Sequence, residues 1–70
     1  MSRAIVGDWV VAGTDGTDGL DWGCIVAIDG NDAEIAWETG SRTTIDLLEP
    51  DVEVYGLKAD AKARYEDRRG

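Results

Sequence analysis

Histidine and phenylalanine are absent from this 70-residue sequence, and cysteine, proline and methionine each occur once. Without histidine, the Ser-His and Cys-His arrangements of nucleophilic catalysis are excluded. The lone Cys24 excludes an internal disulfide and, with no histidine, a cysteine-based zinc site. No apolar run approaches the roughly 18 residues that a membrane helix requires, and the opening residues lack a signal-peptide pattern. The sequence therefore predicts a soluble, cytoplasmic, non-enzymatic domain with no metal, cofactor or membrane contact.

Basic residues are also scarce, since seven stand against fifteen acidic ones, giving a net charge of −8. A phosphate backbone repels such a surface, so direct nucleic-acid binding is disfavoured. The acidity has two interpretations, solubility or attraction to a basic partner through imitation of nucleic acid. Low lysine with abundant Asp, Ala, Gly and Val is typical of a GC-rich genome, a bacteriophage or a salt-adapted host, and composition does not separate these sources.

What the chain does contain is a series of short apolar runs separated by turns. Two turn signals, at residues 29–32 and 39–41, divide residues 22–48 into three strands. A strand candidate on each side gives five in total, at residues 7–12, 22–29, 33–38, 42–47 and 51–55, with an exposed loop at 13–21. From Leu57 the period changes, and Leu57, Ala61 and Tyr65 share one helical face. We expect a five-stranded SH3-like barrel over residues 1–56 and a helix or tail over 57–70.

Alternation along each strand divides the apolar residues into two sets. The predicted inner set comprises Val10, Cys24, Val26, Ile28, Ala33, Ile35, Trp37, Thr43, Ile45 and Leu47, with Val52 or Val54. The predicted outer set comprises Trp9, Val11, Ile25, Ala27 and Ala36. This outer set is too apolar for a solvated face. We expect the C-terminal helix, another subunit or a partner to cover it.

Three short segments, GDWV at residues 7–10, WGCIV at 22–26 and AEIAWETG at 33–40, resemble a Tudor-like or related SH3-like domain. In Tudor-like domains aromatic residues at the barrel rim form a cage for methylated lysine or arginine. The resemblance implies that Trp22 contributes a cage wall and that Asp21 counters a cation. Residues 39–41, Thr-Gly-Ser, stand where the family has an aromatic residue. We therefore expect the rings to supply core and interface area.

These patterns predict a protein-interaction module that binds a protein partner or a second copy of itself. The predicted binding surface combines an outer apolar patch with the acidic loop, and its residues are Trp9, Val11, Asp18, Asp21, Trp22 and Ile25. The outer patch is alternatively a homodimer interface. Asp15, Asp18 and Asp21 recur every third residue, which is not the spacing of an EF-hand loop and favours a solvated loop. The alternative function is an acidic, phage-encoded inhibitor that mimics nucleic acid.

Overall fold

The computed structural model describes residues 4–13 and 20–69, except the side chain of Arg69. It contains five strands followed by one helix: β1 (Trp9–Gly13), β2 (Leu20–Asp29), β3 (Asp32–Trp37), β4 (Arg42–Asp46), β5 (Glu53–Tyr55) and α1 (Lys58–Arg69). The element order and the change of period after β5 agree with the expectation from the sequence. The protein is mainly β, with a C-terminal helix.

All five strands are antiparallel and form one sheet in the order β4-β3-β2-β1-β5. Glycines at left-handed φ values make two of the turns, Gly30 between β2 and β3 (φ 64°) and Gly40 between β3 and β4 (φ 99°). The edges of the sheet are β4 and β5, and no strand pairing among the described residues joins them. The described strands therefore form one sheet that does not close, and the barrel predicted from the sequence is not confirmed.

A β-bulge in β2 changes which side chains enter the core. Ile25 pairs with Ile35, but the next pair is Ala27 with Glu34, so Val26 is an extra residue in β2. Because the bulge shifts the alternation by one residue, Ile25 and Ile28 face the same side. Ile25 is fully buried, whereas Cys24 and Val26 are half-buried. The prediction that Cys24 and Val26 point inward and Ile25 outward is therefore wrong.

One face of the sheet carries the main core. Its buried members are Val10, Ala12, Ile25, Ala33, Ile35 and Trp37, and Ala4, Ile28, Ile45, Leu47 and Val52 pack against them. The Trp37 indole nitrogen donates to the Thr43 hydroxyl at 2.7 Å, which satisfies a buried polar group. Val52, not Val54, completes this core from the chain that leads into β5.

Gly23 lies at a close approach of β2 to β3. A Cβ built at Gly23 would lie 2.4 Å from the carbonyl oxygen of Ala36 and 2.8 Å from the Cα of Trp37. Both atoms belong to backbone, so no side-chain rotation relieves the contact. Glycine inside a strand commonly marks such an approach, and here it allows the ten-residue β2 to pass close to its neighbour.

Helix α1 covers the second face of the sheet, over β1, β2 and β5. Val11, Trp22 and Ala61 are buried there, and Trp9, Leu20, Tyr55 and Tyr65 pack around them. We call these seven residues the aromatic cluster. The sequence predicts that the C-terminal helix, another subunit or a partner covers this face. In the structure the C-terminal helix covers it. Within the described chain, α1 is too short and too polar to cross a membrane.

Candidate interaction surfaces

The aromatic cluster brings together rings that are far apart in sequence. The ring centroids of Trp9 on β1 and Trp22 on β2 lie 5.7 Å apart with a 38° tilt. Tyr65 on α1 lies 6.5 Å from Trp22, also at 38°. Such tilted pairs contribute roughly 0.5–1.5 kcal/mol beyond their buried area. The cluster joins the helix to the sheet at the centre of their contact.

A cation of the same chain lies over two of these rings. The ammonium nitrogen of Lys58, in the first turn of α1, is 5.5 Å from the centroid of Trp9 and 5.9 Å from that of Trp22. Both distances are within the range of cation–π attraction. The tryptophan pair therefore accepts an ammonium group, which this chain supplies from its own helix.

Glu53 on β5 holds the other end of the helix. Its carboxylate accepts hydrogen bonds from Arg64 Nε at 2.8 Å, from Arg68 Nη1 at 3.5 Å and from the Tyr55 hydroxyl. The hydrogen bond from Arg64 lowers the pKa of Glu53 below its ordinary value, and the hydrogen bond from Tyr55 makes the next largest contribution. Burial, and then the bond to Glu53, raises the pKa of Tyr55. This polar group fixes α1 against β5 while Glu53 is ionised.

The structure assembles only part of the binding surface predicted from the sequence. Trp9, Val11 and Trp22 meet in the aromatic cluster, but Val11 is fully buried and Trp22 is 7% exposed. Ile25 lies in the main core on the opposite face of the sheet. The outer apolar patch of Trp9, Val11 and Ile25 is therefore not a continuous exposed surface, because the bulge turns Ile25 inward and α1 covers the other two.

Of the two acidic residues in the predicted surface, Asp21 is buried and Asp18 lies outside the described residues. The carboxylate of Asp21 accepts hydrogen bonds from the Trp22 backbone amide and the Thr39 hydroxyl, both at 2.8 Å. It joins the start of β2 to the turn between β3 and β4. In this position Asp21 is buried and its carboxylate links two segments of the fold.

Four exposed apolar residues lie toward one end of the sheet, where β1 begins and β5 ends. They are Ile5 and Val6 before β1, Val54 on β5 and Leu57 just before α1. A turn over residues 5–8, with Gly7 at φ 102°, places the first two at the surface. Because β5 pairs antiparallel with β1, the start of β1 and the end of β5 lie at the same end of the sheet. We call these four residues the end patch. Sequence reasoning missed it, since Ile5 and Val6 precede the first predicted strand and Leu57 was placed on one helical face with Ala61 and Tyr65.

A row of carboxylates crosses the far end of three strands. Asp32 on β3 pairs with Asp29 on β2 and with Asp46 on β4. Directly opposed like charges destabilise a sheet. Among the described residues, no three potential ligands are grouped so that they could hold a metal ion. We call these three exposed aspartates the acidic row.

Comparison with known proteins does not extend these observations to a family. No protein-family model matches the chain, and no curated protein and no solved structure matches it. The resemblance of the three short segments to Tudor-like domains stays a prediction.

Proposed function

We propose that this protein is a non-enzymatic interaction module that binds a protein partner, or a second copy of itself, through the end patch. The observation that carries the proposal is the exposure of Ile5 (62%), Val6 (57%) and Leu57 (64%) around one end of the sheet. The domain has a buried apolar cluster on each face of the same sheet. Neighbouring apolar residues left in water are typical of an interaction surface.

The proposal includes a finer description of the fold, an SH3-like barrel. The strand order, the ten-residue β2, its bulge at Val26 and the close approach at Gly23 support it. Bulges and glycines are the features that let a sheet curl toward closure. The half-buried thiol of Cys24 supports a reducing, cytoplasmic location.

Mass in solution, measured by light scattering at low and high salt, tests the end patch. Val6→Ser combined with Leu57→Ser should lower the mass of any self-assembly, and the assembly should tolerate salt because its contact is apolar. Leu48→Ser is the matched control, since Leu48 is 70% exposed in the turn between β4 and β5. If the double variant and the control associate equally, the end patch is not the binding surface.

The acidic row favours a second function, inhibition of a basic protein by imitation of nucleic acid. Exposed carboxylates on three neighbouring strands present a negative surface that complements a basic partner. The test measures binding of a polylysine peptide across a salt series. Asp32→Asn with Asp46→Asn should weaken binding and reduce its salt dependence more than Glu49→Gln with Asp51→Asn, which removes the same charge from an exposed turn. Equal effects of the two pairs would show that net charge alone acts.

A further inference from the structure

Helix α1 is attached to the sheet by few apolar contacts. Among its described side chains, Ala61 is fully buried and Tyr65 is half-buried. Polar groups of the helix also attach it near the surface, among them Lys58 over the two indoles, and Arg64 and Arg68 on Glu53. A twelve-residue helix is marginal in water without tertiary contacts. Contacts with the sheet therefore hold this segment in its helical form.

The sheet face beneath α1 is costly to expose. Val11 and Trp22 are buried against the helix, and Trp9 and Tyr55 lie beside them. When α1 leaves, this face needs a cover with a small residue at the centre, an aromatic residue one turn later, and cations placed for the indoles and Glu53. A second copy of α1 has this pattern, with every contact conserved.

The connection between sheet and helix is short. Tyr55 ends β5 within the aromatic cluster, and α1 begins at Lys58, so the chain reverses onto its own sheet through residues 56 and 57. Both residues are exposed, and nothing lies within 4 Å of a Cβ built at Gly56. Short connections of this kind favour exchange of an element between copies, because an extended connection carries the element to a neighbour. We call these two residues the hinge.

The end patch lies around this hinge. Leu57 is part of it, Val54 belongs to the strand before it, and Ile5 and Val6 lie at the same end of the sheet. Two copies that exchange helices meet at their hinges, because the connecting segments cross there. The exchange would therefore bury the exposed apolar side chains that a single copy leaves in water.

We propose that the protein forms a dimer by exchanging α1, so that the helix of each copy covers the aromatic cluster of the other. The proposal rests on the proposed function of the end patch and names its partner as a second copy of this chain. Because the exchanged helix keeps the contacts of the monomer, the balance is set by burial of the end patch against the entropy lost on association. The dimer fraction rises with protein concentration.

Cross-linking between two differently labelled chains tests the exchange. Glu53→Cys and Arg64→Cys are made in separate full-length chains, each also carrying Cys24→Ser, since these side chains are in contact at 2.8 Å. One chain is labelled with ¹⁵N, and the two are unfolded together, refolded and treated with a short bis-maleimide. In the control mixture, Glu34→Cys replaces Glu53→Cys, since Glu34 lies on β3 and bonds Arg42 instead of a residue of α1. Intact mass should show much more cross-linked mixed dimer in the test mixture than in this control. A mixed dimer no more abundant than in the control overturns the proposal.

A second pair keeps the test decisive if loss of the Glu53 ion pair impairs folding. Asp51→Cys with Arg68→Cys joins the same segments, because Arg68 Nη1 lies 3.3 Å from the Asp51 carbonyl oxygen. Near-ultraviolet circular dichroism confirms that each variant is folded before cross-linking. The same excess of mixed dimer is expected, and its absence in a folded pair also overturns the exchange.

Hinge length separates this proposal from the proposed function. Insertion of a flexible glycine–serine segment after Gly56 should convert the dimer to monomer, because the helix then reaches its own sheet without a sharp reversal. The same insertion in the turn at Gly40 should leave the dimer unchanged. If the dimer survives the longer hinge but dissociates with Leu57→Ser, helix exchange is wrong and binding through the end patch stands. If neither change affects the mass, both proposals fail.

Discussion

Gly23→Ala is the substitution for which the structure gives the most definite cost. The new Cβ would lie 2.4 Å from the Ala36 carbonyl oxygen, 2.8 Å from the Trp37 Cα and 2.9 Å from the Ala36 carbonyl carbon. Real Cβ atoms are essentially never closer than 3.0 Å to such atoms. The backbones of β2 and β3 must therefore move apart at this position by roughly half an ångström or more. Overpacking of this kind costs about 1–3 kcal/mol, and the rigid backbone here places the cost toward the upper end.

Such a cost is a large share of the stability of a small domain. At about 0.05–0.15 kcal/mol per residue, a chain of this length has roughly 4–10 kcal/mol of unfolding free energy. A loss of about 2–3 kcal/mol should lower Tm by roughly 10–20 °C. Urea unfolding followed by circular dichroism measures the free energy, and a calorimetric scan measures Tm.

Gly56→Ala is the matched control for this substitution. Nothing lies within 4 Å of a Cβ built at Gly56, and its backbone is outside the left-handed region. The same chemical change should therefore be nearly neutral, or stabilise by about 0.4–1 kcal/mol through the unfolded chain. If the two variants unfold at the same urea concentration, the close approach of β2 to β3 at Gly23 is wrong.

Three further predictions test the core, the ion pairs and the cation site. Ile25→Ala should cost about 2–5 kcal/mol of unfolding free energy and Val26→Ala below about 1 kcal/mol, and equal losses in urea unfolding would contradict the bulge. The pKa of Glu53 is lower in the folded chain than in the unfolded chain, so ionised Glu53 stabilises the fold. This stabilisation is fully present above the unfolded-state pKa and is lost as the pH falls through the folded-state pKa. Urea midpoints of wild type and Glu53→Gln should therefore differ at neutral pH and converge in acid, and a constant gap would refute this coupling. Lys58→Met should lower stability by about 0.5–1 kcal/mol and change tryptophan fluorescence, whereas Lys62→Met, at an exposed position one turn further along α1, should do neither.

The sequence was sufficient for the order of elements because the signals for them are local. Alternation of apolar residues, the glycines at 30 and 40 and the change of period after Gly56 each depend on neighbouring residues. For the same reason, the predicted ends of each strand agree with the observed ends to within a few residues. Closure of the sheet into a barrel depends on contacts between distant segments, and the described pairings stop at β4 and β5.

The candidate surfaces were harder to predict, because one inserted residue reverses the faces of a strand. Strict alternation placed Ile25 outward, and no turn residue or charge near Val26 indicates the bulge. Asp21 carries the same signal as the other acidic residues of its loop, yet it is buried and accepts a hydrogen bond from Thr39 in another turn. The pairing of Trp9 with Trp22 required the register of β1 on β2, which composition does not determine.

The central place of β1 has a consequence for how quickly the chain folds. β1 pairs with β2, its neighbour in sequence, and also with β5, near the other end of the described chain. The β2–β3–β4 hairpins close short loops, whereas the pairing of Trp9 with Tyr55 closes a loop that contains all of them. Long-range pairing of this kind slows folding. We expect the hairpins to form first, with β5 and α1 joining β1 in the last and rate-limiting step.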